Sequence, residues 1–377
     1  VFSGWSGHAD CSDGVVTMDA NKTCIATFNI LLTINKAGNG SGTVTSDPAG
    51  INCGEDCSEP YEEGATVSLL ALADFGSTFA GWSGDCSGTN PSIQVLMDAS
   101  KTCTATFTLI PRTLTVTKGG TGTGTVTSDP AGINCGADCS EPYNHGTVVT
   151  LTASAGTNSV FRGWGGACSG TNPTVEVTMD GAKTCTATFN LQHTLTVTKA
   201  GTGLGTVTSS PEGINCPGDC TEPYDQGTVV TLTAVAGDNS VFAGWSGACS
   251  GTDTEVQVTM DGARSCTATF NLVQRTLTVA TTGNGTGSVT SNPAGINCPG
   301  DCTEDYDHGT VVTLTAEAGA NSVFAGWSGA CSGTNPDVQV TMDGARSCTA
   351  TFNLVQRTLT VAMAGPGSGT VTSSPSG

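Results

Sequence analysis

The side chains with most chemistry to offer are cysteines: the chain has 18, and all but Cys11 and Cys24 fall into four sets of one spacing. The sets are Cys53, Cys57, Cys86 and Cys103; Cys135, Cys139, Cys168 and Cys185; Cys216, Cys220, Cys249 and Cys266; and Cys298, Cys302, Cys331 and Cys348. Four thiolates suit zinc, but structural zinc sites use two matched knuckles of closely spaced ligands, and each set has only one. Disulfides are the better reading. The total is even, the spacing regular, and no Cys-x-x-Cys-His haem site occurs, which together point to an oxidising compartment. Each set permits three pairings. The near pair (Cys135 with Cys139) and the far pair (Cys168 with Cys185) are favoured, because residues 1–29 carry the far pair alone, as Cys11 and Cys24. The other pairings would cross-link the two halves of a module.

Three further groups recur with the cysteines. Trp82, Trp164, Trp245 and Trp327 each sit in a Gly-Trp-Ser/Gly-Gly stretch, where an indole either stacks on a sugar ring, making these candidate ligand contacts, or fills a core beside a disulfide. The core is preferred, since an adhesive surface wants exposed aromatics and this chain has few. Asp56, Asp138, Asp219 and Asp301, Glu59, Glu141, Glu222 and Glu304, and Asp98, Asp180, Asp261 and Asp343 offer oxygen ligands to calcium. No EF-hand pattern accompanies them, and an Asp in a tight turn has a simpler use bonding its own backbone. Calcium is thus the one ion left open, and no organic cofactor is expected. His145 and His308 match Glu63 and Gln226, as a solvent-facing turn would allow. No nucleophile, base and orienting acid recur together, so no enzymatic activity is expected.

These landmarks return every 81 to 82 residues, the mark of a repeat array. The expected divisions are 1–29, the C-terminal half of a repeat; four modules at 30–110, 111–192, 193–273 and 274–355; and 356–377, the N-terminal part of another. The chain opens and closes inside a module, which reads as a window cut from a longer array. A module of ~80 residues buries only about 60 to 65% of its unfolded surface and needs a staple. Inside each, Thr113–Thr117, Val149–Ala153, Val175–Met179 and Cys185–Phe189 and their counterparts alternate apolar and polar residues, with Gly, Asn, Asp and Pro between them. That is the pattern of short half-buried strands. Two more strands are expected at 124–128 and 160–164, giving five to seven per module and no helix. Cys11 and Cys24 are expected on paired strands beneath a shortened hairpin. Junctions such as Phe107–Thr113 carry no Gly/Ser linker, so neighbours should hold a fixed orientation. Each module should be about 30 Å across and the window on the order of 150 Å if extended.

The formal net charge of −20 arises with only 12 Lys and Arg, which removes the basic clusters that nucleic acid requires. No run approaches the ~20 apolar residues of a membrane span. Sequons at Asn21, Asn39 and Asn284 permit glycosylation.

Taken together, the Gly-x-Gly-x-Gly-Thr-Val-Thr turn, Ser-x-Pro-x-Gly-Ile-Asn-Cys, Gly-Thr-x-Val-x-Leu, Phe-x-Gly-Trp-Ser-Gly-x-Cys and the closing Thr-Ala-Thr-Phe resemble the divergent internalin-type B-repeat family of bacterial secreted and surface proteins. The resemblance implies β-grasp-like or small β-sandwich modules in a tandem, disulfide-stapled linear array, used as a stalk, spacer or adhesive segment. Family members commonly place the last cysteine before the Thr-Val-Thr-Met strand; here it follows the Met, which implies a disulfide between different strands. The expectation is a non-enzymatic extracellular structural protein, a stalk or the body of a surface filament, partnered by copies of itself or neighbouring repeats. The alternative is an adhesin meeting glycan or host protein through its Gly-Trp-Ser-Gly loops.

Overall fold

The computed structural model describes residues 1–374. They fall into two compact units that divide between His193 and Thr194. The first holds the N-terminal piece with modules one and two, the second modules three and four.

Module two stands for all four, except that in modules three and four Asn215–Cys216 and Asn297–Cys298 add a two-residue edge strand to the second sheet. Its strands are β1 (Pro111–Gly119), β2 (Gly124–Asp129), β3 (Ser140–Asn144), β4 (Val148–Ala155), β5 (Ser159–Gly166), β6 (Thr174–Thr178) and β7 (Lys183–Ala200), whose last residues open module three. Successive strands alternate between two sheets. One has the order β3-β1-β7-β5 and the other β2-β4-β6. The module is therefore a small β-sandwich, the second of the two architectures expected, and the described residues contain no α-helix to make a β-grasp. The period-two pattern explains the sandwich directly: Leu114, Val116, Val126, Val149, Leu151, Val177, Met179, Cys185, Ala187 and Phe189 point inward and are buried, while the alternate Thr face out. Gly124 is required where β2 begins, because a Cβ there would run into the Phe189 ring.

Two features escape the alternation rule. Strands β1 and β7 pair in parallel, from Leu114 opposite Lys183 to Gly119 opposite Thr188. In β5 a bulge lies between Phe161 and Gly163. Phe161 faces Phe189 and Trp164 faces Ala187, so partners two apart on β7 meet residues three apart on β5. The extra residue, Arg162, lets Phe161 and Trp164 share the inner face.

In the N-terminal piece, Phe2–Gly7 pairs antiparallel with Cys24–Phe28. Cys24 opens its strand, but Cys11 lies in a short 3₁₀ helix, Ala9–Cys11. The expectation of two paired strands is corrected there: the shortened connection turns tightly, and the His8 side chain accepts from the Asp10 N–H. After module four the described residues carry no strand, and the last three positions of the expected 356–377 segment lie outside them.

Candidate functional site

The near loop begins at the β2 turn, where the Ser128 hydroxyl accepts from the Ile133 N–H at 2.8 Å and lies 2.7 Å from the Tyr143 hydroxyl, which also donates to the Pro130 carbonyl. Beyond it, Asn134 and Asp138 exchange backbone bonds, and Cys135 is bonded to Cys139 with the Cα atoms 4.3 Å apart. The loop then ties both sheets. The Cys135 N–H donates to Val126 of β2 at 2.7 Å, and the Cys139 carbonyl accepts from Val116 of β1 at 2.8 Å. The other near pairs are Cys53–Cys57, Cys216–Cys220 and Cys298–Cys302.

The far pair lies on the other side of β1, at the same level, where Cys185 is opposite Val116. Cys168 follows β5 and is bonded to Cys185 on β7, Cα atoms 5.1 Å apart. Cys86–Cys103, Cys249–Cys266 and Cys331–Cys348 repeat it, and Cys11–Cys24 is its counterpart in the N-terminal piece. All 18 cysteines are thus bonded and none is free.

Trp164 fills the space beside this disulfide. Its indole N–H donates to the Asn172 carbonyl at 3.0 Å, its backbone N–H to Gly170, and its ring meets Phe161 edge-on at 5.4 Å. Trp82, Trp164, Trp245 and Trp327 are 5 to 8% exposed. A ring so covered offers no face to a sugar, so these four candidate ligand contacts are corrected to core. Only Trp5, with no second sheet over it, is open, at 42%.

The recurring acids are occupied locally. Asp56, Asp138, Asp219 and Asp301 accept the backbone N–H two residues on, closing the turn into the third strand. Asp98 and Asp180 pair with Lys101 and Lys183 at 2.7 and 2.9 Å, and Asp261 and Asp343 pair with Arg264 and Arg346. The hydrogen bond from the lysine holds the Asp98 and Asp180 carboxyls below their ordinary range. Glu59, Glu141, Glu222 and Glu304 lie over the glycine of the Gly-Ile-Asn-Cys run. Among the described residues no group of three or more His, Cys, Asp or Glu is placed to hold a metal ion.

Sequence reasoning missed the part that His145 and His308 play at the module junctions. His145 and His308 are half-buried, which corrects the solvent-facing turn expected of them. In the first unit the Ile110 N–H donates back to Gly76 of module one, and the Ile110 carbonyl accepts from His145 of module two, both at 2.9 Å. In the second unit Val273 does the same between Asn239 at 2.8 Å and His308 at 2.9 Å. The Phe75 ring meets His145 edge-on at 5.0 Å. A His whose counterparts are Glu and Gln gave no sign of this, because the contact depends on the preceding module.

The profile of the divergent InlB B-repeat domain matches residues 30–111, 113–193, 195–274 and 276–356. No curated protein matches the chain. Among solved structures, the chain is similar to the Bacillus anthracis TIE protein at 7% identity, covering 88% of this chain and 70% of that one, TM-score 0.31. It is also similar to the Streptococcus agalactiae minor pilin GBS52 at 8% identity, covering 45% and 100%, TM-score 0.18. A third is the pilus adhesin SpaC of Lactobacillus rhamnosus GG at 9% identity, covering 91% and 46%, TM-score 0.22.

Proposed function

The chain belongs to the divergent InlB B-repeat domain family, and from that premise we propose that it is a non-enzymatic, extracellular array acting as a stalk or as the body of a surface filament. The observation that carries the reading is the recurrence of staple and core without a recurring open site. Every module spends its cysteines on disulfides and its tryptophan on the interior. The junction residues Ile110 and Val273 are bonded on both sides, so within each unit one module follows the other through fixed backbone contacts rather than a flexible linker. Disulfides in every module suit an oxidising exterior, and among the described residues no helix is long and apolar enough to cross a membrane. The net charge of −20 favours solubility over self-association through a generic sticky surface, so any filament would be built from specific contacts with copies or neighbouring repeats.

Two measurements on the native protein test this. Antibodies against the modules should label intact cells, and the purified oxidised chain should show no saturable binding on a glycan array. Specific glycan binding that is lost on changing exposed residues around the Gly-Trp-Ser-Gly loops would instead favour the adhesin reading. Retention of the protein in the cytoplasm with free thiols would remove the stalk.

A further inference from the structure

In every module the first and last strands are hydrogen-bonded neighbours running the same way. The pairs run from Leu32 opposite Lys101 to Ala37 opposite Thr106, from Leu114 opposite Lys183 to Gly119 opposite Thr188, from Leu195 opposite Arg264 to Ala200 opposite Thr269, and from Leu277 opposite Arg346 to Thr282 opposite Thr351. The chain enters a module along the first of these strands and leaves along the last. Tension on the ends therefore draws them in opposite directions along their common axis. A ladder loaded this way must slide, and its bonds share the load and fail together. A hairpin pulled open at one end loses its bonds one at a time.

We infer that each module is a tension-bearing clamp, its parallel ladder loaded in shear and its two disulfides limiting the chain released if the ladder fails. The inference rests on the stalk reading only for the source of tension; the loading geometry belongs to each module. Three details support it. Hydroxyl bonds cross the ladder in three modules, at one level in two of them, Thr117 to Thr186 at 2.8 Å and Thr198 to Thr267 at 2.7 Å, and two residues further along in module four, Thr282 to Thr351 at 3.2 Å. The far disulfide is anchored on the ladder itself, at Cys185 opposite Val116. On the other side of β1, Val116 donates to the Cys139 carbonyl, so the near-stapled loop backs the strand that must slide.

The disulfides set a measurable length. With Cys53 joined to Cys57 and Cys86 to Cys103, sequence separations of 4 and 17 are bypassed. At about 3.5 Å per extended residue, an oxidised module released from its fold should lengthen by about 180 Å, and a reduced one by about 60 Å more.

The test is single-molecule force spectroscopy on the full oxidised chain held by its ends. Four rupture events of similar force are expected, each lengthening on reduction as stated. Moving one handle to Gly181→Cys, in the open turn before β7, places the load on the same end of both strands in module two. The ladder is then peeled, and the rupture force of that module should fall several-fold while module one, still sheared, is unchanged. Val116 turns its N–H away from β7, so alternation directs that of Thr117 toward it. Thr117→Pro should accordingly weaken one event of the four. Val177→Ala, in β6 of the other sheet, should lower the thermal stability of module two and leave its rupture force. Equal forces in the two pulling geometries, or an equal loss from Val177→Ala and Thr117→Pro, would overturn the clamp. The geometry comparison decides even if the Pro variant does not fold. Surface labelling decides the stalk separately.

Discussion

Trp164 shows how one residue type can serve two opposite readings until its surroundings are known. Its indole is 8% exposed, its N–H is bonded to Asn172, and Phe161 lies against the ring. Trp164→Ala should cost module two about 3 to 5 kcal/mol, the usual range for emptying an aromatic core site, and hydrogen exchange resolved by module should show the loss confined there. Tyr61 gives a pH test. Burial raises its phenol above the ordinary value, against the opposing effect of its bond with Ser46. A phenol with a raised folded pKa contributes stability that is fully present below its unfolded pKa, about 10, and lost as pH rises through the folded value. Module one should therefore weaken progressively above about pH 10. Tyr61→Phe should remove that contribution to alkaline unfolding at a cost of about 1 kcal/mol near neutrality.

Among the elements, strands were legible and their partners were not. Thr113–Thr117 or Cys185–Phe189 states which residues face inward through plain alternation, so the all-β class and the buried Val, Leu and Phe positions followed from sequence. Alternation says nothing about which strand lies alongside. The parallel match of Val116 with Cys185 joins residues in the first and last strands of a module, and the sheet-to-sheet weave depends on such long-range choices. Arg162 was read as part of a plain strand because a bulge changes the count without changing composition. His145 was misread because its environment comes from Phe75 of another module, and Cys11 because a shortened tip reshapes its own approach into a 3₁₀ turn. The cysteine spacing carried most of the site, since a near and a far pair recur at fixed separations. Those separations also rank the staples. Replacing Cys168 and Cys185 by Ser, which opens a loop of separation 17, should destabilise module two by about 3 kcal/mol on a chain-entropy estimate. Replacing Cys135 and Cys139, separation 4, should cost about 2 kcal/mol on the same estimate. Denaturant unfolding of the two double variants checks the order.

At the scale of the whole molecule, repetition carries the argument. Four modules each have their own core cluster and their own two disulfides, so each should fold and yield largely by itself, with neighbours coupled through junctions such as Ile110 and Val273. A chain built this way can add length by copying a module without redesigning a core, which suits a stalk better than a single folded enzyme. The central claim is that the recurring Gly-Ile-Asn-Cys cluster and its distant tryptophan form a staple rather than a reactive site. Peptide mapping of the native, unreduced protein by mass spectrometry tests it most directly. The account predicts that all 18 cysteines are bonded, in near pairs such as Cys135–Cys139 and far pairs such as Cys168–Cys185. Free thiols in most modules, or peptides linking Cys135 or Cys139 to Cys168 or Cys185, would contradict it.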